Sequence, residues 1–146
     1  MIWFILFIIS MLILLFSRTK GKIRKLYGYG LFLATLNFFI EILGESVLVF
    51  WRTQGVIEVF GVPIFLLFTY FIWGMLIVDY CPKKLSHIII YILILTTLTV
   101  LIEYFLIKLG YVEWLSHYPY LCILIHVLVL SSLIIIKGHA YKIYFS

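Results

Sequence analysis

Charge is what this sequence has least of. Only 12% of its residues are Asp, Glu, Lys or Arg, about half the share of a soluble globular protein. That scarcity, with 66% hydrophobic residues, excludes a domain whose solvent is water. The expected fold class is all-α: an integral membrane bundle, with residues 1–146 forming a single transmembrane helical domain. Cysteine is scarce too. The expected topology places Cys81 and Cys122 at opposite leaflets, which excludes a disulfide between them. Cys81, beside Lys83 and Lys84, reads as a small filler residue or, in a eukaryote, as a palmitoylation candidate.

Catalytic signatures are missing as well. There is no Gly-x-Ser-x-Gly, His-Glu-x-x-His, P-loop or Cys-x-x-Cys. Their absence does not exclude an enzyme, because a few carboxylates in lipid can suffice for acid–base work. The net charge of +5 does not indicate nucleic acid, because no basic-aromatic module accompanies it. No metal or cofactor is expected. Cys122 and His126, four apart on a helix, have metal-ligand spacing but lack a partner motif.

What the sequence does have is long apolar runs separated by short polar loops. Five spans are expected: Ile2–Phe16, Leu26–Phe50, Val62–Val78, Ile88–Ile107 and Tyr120–Ile136. The first is short, roughly 22 Å as a helix. It has no basic flank before it and no small-residue cleavage site after it, so it reads as a retained span and not a signal peptide. Basic residues fix the orientation. Of the eleven in the chain, only Arg52 and Lys108 fall in loops on the outer side. The other nine are Arg18, Lys20, Lys22, Arg24, Lys25, Lys83, Lys84, Lys137 and Lys142. By the positive-inside rule the N-terminus is outside and the C-terminus inside. Tyr27, Tyr29, Trp51, Tyr111, Trp114 and Tyr118 fall at interfacial positions. Pro63 suits a first helical turn, and Gly74 leaves a notch for close helix packing.

The polar residues inside the spans are the exceptional ones. Asn37, Glu41 and Glu45 are spaced four apart and share one face of a continuous helix. Each ionisable group at that depth costs roughly 2.5–3.5 kcal/mol to insert. Helix geometry puts Glu41 about 5 Å and Glu45 about 11 Å outward of the second span's midplane, and Glu103 about 8 Å outward of the fourth span's centre. His126 lies near the middle of the fifth. Three helices thus carry their buried ionisable groups at similar depth, which predicts one ligand or proton site made of Asn37, Glu41, Glu45, Glu103 and His126. Arg52 is a candidate counter-ion. Two carboxylates one turn apart in a low dielectric cannot both ionise cheaply, so they are expected to titrate as a coupled group. The alternative is a purely structural hydrogen-bonded network between helices.

Several resemblances bear on function. Asn37-x3-Glu41-x3-Glu45 resembles one acidic motif of the intramembrane prenyltransferases, although their second acidic motif and about nine spans have no counterpart here. Glu41-x-x-Gly44 with Trp51, then Gly61-Val-Pro63, and Glu103 followed by a Trp-containing loop, resemble a family of small uncharacterised multi-pass membrane proteins of Gram-positive bacteria. A fainter similarity is to the carotenoid lycopene cyclases and hydratases, which use carboxylates in short helical bundles on an apolar substrate. The Pro-x-Glu-Glu-type motif of the cyclases is absent. Together these imply a multi-pass protein of the cell membrane with a binding or accessory role. The alternatives are an intramembrane enzyme using paired carboxylates on a lipid or isoprenoid, and a proton- or cation-conducting element. The expected partners are the lipid bilayer, a lipid or isoprenoid ligand, and a second copy or another membrane protein.

Overall fold

The computed structural model describes residues 2–47, 51–53, 55–114 and 119–145, excepting the side chains of 46, 47, 52, 114, 119, 122 and 139–145. It is predominantly helical. Five helices follow one another in chain order: α1 (Ile2–Phe16), α2 (Ile23–Ile42), α3 (Ile64–Tyr80), α4 (Leu85–Lys108) and α5 (Pro119–Phe145). The apolar runs form helices because long stretches of them carry neither proline nor a polar turn to interrupt the backbone ladder. Two helical stretches, Arg18–Glu45 and Leu85–Lys108, are long and apolar enough to cross a membrane. Ile2–Phe16, Ile64–Tyr80 and Ile123–Gly138 are shorter apolar helices.

α2 and α3 form the most extensive helix pair, α1 packs on α3, and α5 touches α2, α3 and α4. The α2–α3 pair is close because glycines face each other. A Cβ added at Gly74 would lie 2.6 Å from the Tyr29 carbonyl oxygen and 2.8 Å from Gly30 Cα. A Cβ at Gly30 would run into the Phe71 carbonyl oxygen. The notch expected at Gly74 is thus filled by the backbone of α2. Leu33, Met75, Leu76, Val78 and Leu133 are buried in the centre of the bundle. α4 buries only Thr96 and Leu106. It turns Leu93, Ile94, Leu101 and Phe105 outward.

One end of the bundle holds Trp3, Trp51, Leu66, Leu106 and Val112 in a second apolar cluster. At the other end sits a polar clasp centred on Asp79, just past the apolar stretch of α3. Asp79 accepts hydrogen bonds from Thr19 Oγ1 at 2.9 Å and Lys22 Nζ at 2.6 Å. Arg18 lies 3.4 Å away and donates to the Asp79 carbonyl oxygen at 3.0 Å. Burial alone would raise the Asp79 pKa. The Lys22 and Thr19 hydrogen bonds and the Lys22 and Arg18 charges outweigh it, so the carboxyl is held below its usual range. Lys137 Nζ donates to the Val78 and Cys81 carbonyl oxygens at 2.9 and 3.3 Å, a cation at a helix C-terminus. Cys81 is buried, which fits the small-filler reading.

Four boundaries differ from expectation. The second span does not continue as α-helix to Phe50. It passes at Ile42 into a π-helical turn, Leu43–Val47, and Trp51 then lies in a strand. Pro63 precedes α3 with extended backbone, φ −61° and ψ 123°, and does not occupy the first turn. α4 starts at Leu85, earlier than expected. The segment after Ile136, expected as a tail beyond the last span, is helical to Phe145. A single Gly138 costs about 1 kcal/mol in a helix, too little to end one.

The loops between α2 and α3 and between α4 and α5 carry two small antiparallel sheets. β1 (Trp51–Thr53) pairs with β4 (Val112–Trp114) in the register Trp51↔Trp114, Arg52↔Glu113 and Thr53↔Val112. β2 (Glu58–Val59) pairs with β3 (Val62–Pro63). The two-residue turn between them has φ +53° at Phe60 and +83° at Gly61, the sign pattern of hairpin turns. The Phe60 ring stands 6.4 Å from that of Phe38 on α2, so this apolar hairpin folds back along the helix.

Candidate functional site

A cavity of about 280 Å³ lies between the helices at the end where β1 and β4 meet. Asn37 and Glu41 from α2, Glu103 from α4 and His126 from α5 all line it. Its remaining wall is mostly apolar, with Trp3, Leu6, Leu66, Ile77, Leu95 and Leu130 among its members.

Glu41 is 7% exposed. Its Oε2 accepts a hydrogen bond from Trp51 Nε1 at 2.8 Å, which satisfies one oxygen of a buried carboxyl. Oε1 has no hydrogen-bond partner among the described residues. The Trp51 contact depends on Gly44. A Cβ there would lie 2.6 Å from two indole ring atoms of Trp51, so only glycine lets the ring lie against the helix. The π-helical turn and the fold-back into β1 then bring a residue ten positions along the chain to Glu41. Glu41, Gly44 and Trp51 therefore form one physical unit.

Glu103 and His126 are joined across α4 and α5. His126 Nε2 lies 3.1 Å from Glu103 Oε1, with side chains 16% and 27% exposed respectively. Glu103 and His126 line the same cavity as Glu41. Glu45 does not line the cavity. The π-helical turn changes the angular spacing, and the Glu45 carboxylate lies toward Gly61. The expected stripe of three is therefore a pair, Asn37 and Glu41, with Glu45 beside the hairpin. Asn37 Nδ2 donates to the Leu33 carbonyl oxygen of its own helix at 2.9 Å.

The candidate counter-ion Arg52 is carried off the helix by β1, where its backbone pairs with Glu113; its side chain lies outside the described residues. So does that of Cys122, and with it the Cys122–His126 metal pair. Among the described residues no group of three or more His, Cys, Asp or Glu is arranged to hold a metal.

Three contributors were not singled out as site residues from the sequence. Trp51 has the position of an interfacial aromatic in the sequence, yet its indole is the partner of Glu41. Ser10 Oγ accepts from Trp73 Nε1 at 3.0 Å and donates to the Leu6 carbonyl oxygen at 2.8 Å, tying α1 to α3 on the cavity wall. Thr53 also lines the cavity. It is 6% exposed, and its hydroxyl has no hydrogen-bond partner among the described residues. The proximity of Gly44 to Glu41 was a usable signal for Trp51, since a tight turn needs room for a ring. Thr53 offered none, because an isolated loop threonine is ordinary.

Chemically, the arrangement offers one sheltered carboxyl, one carboxylate–imidazole pair and an unpartnered hydroxyl, set in an apolar chamber. It can bind a small molecule with a polar group at one end, or exchange a proton with one. Protein-family models, curated proteins and solved structures give no match to the chain.

Proposed function

We propose that this chain is a multi-pass protein of the cell membrane that binds a small, largely apolar membrane molecule in the Glu41 cavity. Five helices cross or enter the bilayer, with the N-terminus outside and the basic clasp inside. The outward-facing side chains support this solvent. Only 6% of the apolar window in Leu85–Lys108 is buried inside the protein, whereas the core helix of a water-soluble domain would be mostly covered. The placement of the basic residues supports the orientation. The resemblance to small multi-pass membrane proteins of Gram-positive bacteria is part of the same proposal.

The observation that carries the binding reading is the convergence of Glu41, Glu103 and His126, from three helices, on one chamber. A network serving only to glue helices would pack its polar atoms against each other and leave no chamber among them. At about 280 Å³ the space falls just under the range of about 300–1,000 Å³ usual for small-molecule sites. It suits one small molecule or a single chain and not a two-chain phospholipid. The test is mass spectrometry of lipids copurifying with the full-length protein. A defined small amphiphile retained by the native protein, and lost from the folded Glu41→Gln, Glu103→Gln double variant, is the expected result. A native protein that carries no small ligand and shows no saturable uptake of one would refute the proposal.

A second reading has its own observation. The 3.1 Å Glu103–His126 pair is a proton donor–acceptor couple opening on the same chamber as Glu41, the minimum needed for acid–base chemistry on a bound lipid or isoprenoid. Chemical conversion of the bound molecule by native protein, absent in Glu103→Gln, is its test.

A further inference from the structure

We infer that the cavity is built for a single-chain alcohol, its hydroxyl held between Glu41 and Thr53 and its chain lying along the apolar wall. This rests on the binding reading above and adds the chemical class of the ligand. β1 supplies the geometry. Side chains two apart in a strand point to the same side, so Thr53 lies on the face of β1 whose Trp51 indole reaches Glu41. Thr53 is buried, lines the cavity and leaves its hydroxyl unpartnered. Glu41 Oε1 is likewise without a hydrogen bond among the described residues. The cavity's other side-chain hydroxyls of known bonding are already used: Thr69 donates to Phe65, Thr99 to Leu95 and Ser10 to Leu6, each to a carbonyl oxygen of its own helix.

One carboxyl oxygen that needs a donor, and one hydroxyl that can donate as well as accept, define the complementary group. An alcohol donates to Glu41 and accepts from Thr53 with the same oxygen. A fatty carboxylate or a phosphate would instead bring negative charge beside Glu41 and Glu103, with no described cation lining the chamber other than His126 if protonated. An alkane would leave both protein groups unpartnered, which costs binding free energy. The chamber's apolar lining takes the chain.

The experiment uses the full-length protein in detergent and the quenching of tryptophan fluorescence by brominated chains, since Trp3, Trp51 and Trp73 line the cavity. The probes are ω-bromoundecanol, ω-bromoundecanoate and bromoundecane. Saturable quenching strongest for the alcohol is expected, weakened roughly five- to tenfold by Thr53→Val, as loss of one hydrogen bond implies. Thr53→Ser, which keeps the hydroxyl, should retain the affinity. Thr53→Val should leave bromoundecane unchanged and leave the melting temperature of the empty protein equal or higher, because it removes an unpartnered buried hydroxyl. Equal alcohol binding by native protein and Thr53→Val, or tighter binding of the carboxylate, would overturn the alcohol assignment. If bromoundecane still saturates in that case, the cavity stands as a binding site for apolar chains. No saturable quenching by any of the three would overturn both.

Discussion

Gly74→Ala should destabilise this protein while Gly28→Ala, the same chemical change on the neighbouring helix, should stabilise it. Both glycines lie within helices, where replacing glycine by alanine favours the helix by about 1 kcal/mol. At Gly28 nothing lies within 4 Å of an added Cβ, so only that gain remains. At Gly74 the new methyl group would sit 2.6 Å from the Tyr29 carbonyl oxygen. Ordinary contact begins at 3.4 Å, so α2 and α3 must separate by about 0.8 Å, the difference of those two distances. The obstacle is backbone and cannot rotate away. Overpacking usually costs about 1–3 kcal/mol, and an unyielding backbone obstacle puts this case at about 2–3 kcal/mol; much of the α2–α3 interface loosens with it. The net expectation is a loss of about 1–2 kcal/mol for Gly74→Ala and a gain of about 0.5–1 kcal/mol for Gly28→Ala. Reversible unfolding by sodium dodecyl sulfate, followed by circular dichroism, would read both. Shifts of the same sign, or a Gly74→Ala protein as stable as the native one, would refute the close helix crossing.

Three further outcomes follow from the same contacts. Trp51→Phe keeps the ring against Gly44 but removes the indole donor to Glu41, so it should cost about 1–3 kcal/mol as a buried carboxyl loses its partner; the same unfolding assay would detect it, and an unchanged midpoint would count against the Trp51–Glu41 bond. Thr96→Val should leave stability equal or raised, because the Thr96 hydroxyl is buried and unpartnered among the described residues, whereas a clear loss would mean that it has a partner. Asp79 makes the pH dependence. Its folded pKa lies below the ordinary 3.8, so its stabilisation is fully present above that value and fades as pH falls through the folded pKa. Native protein should therefore lose more stability on acidification below about pH 4 than Asp79→Asn, and parallel acid titrations of the two would contradict the clasp.

The helices were legible in the sequence because an apolar run allows little else: Ile2–Phe16 is both the expected span and α1. The grouping of Glu41, Glu103 and His126 was legible for a related reason. Position along a helix is a matter of counting residues, and ionisable groups within apolar runs are expected to turn inward. What could not be counted was the departure from α-helical periodicity at Leu43. It accompanies a ring from Trp51 lying over Gly44, a contact set by tertiary packing. The turn moves Glu45 off the expected stripe, and the ring supplies the partner of Glu41. The strands escaped notice for a similar reason. β1 and β4 are three residues each, and they pair across a separation of some sixty positions that no local pattern reports. The pairing of His126 with Glu103 follows from the contact between α4 and α5, which residue counting along one helix does not report.

A double-mutant cycle on Glu41→Gln and Glu103→Gln addresses the shared chamber most directly, since these carboxyls come from different helices and meet only there. The account predicts that the two substitutions are non-additive in unfolding free energy by at least about 0.5 kcal/mol, as for residues of one network. Effects that add to within about 0.3 kcal/mol, the behaviour of independent sites, would contradict it.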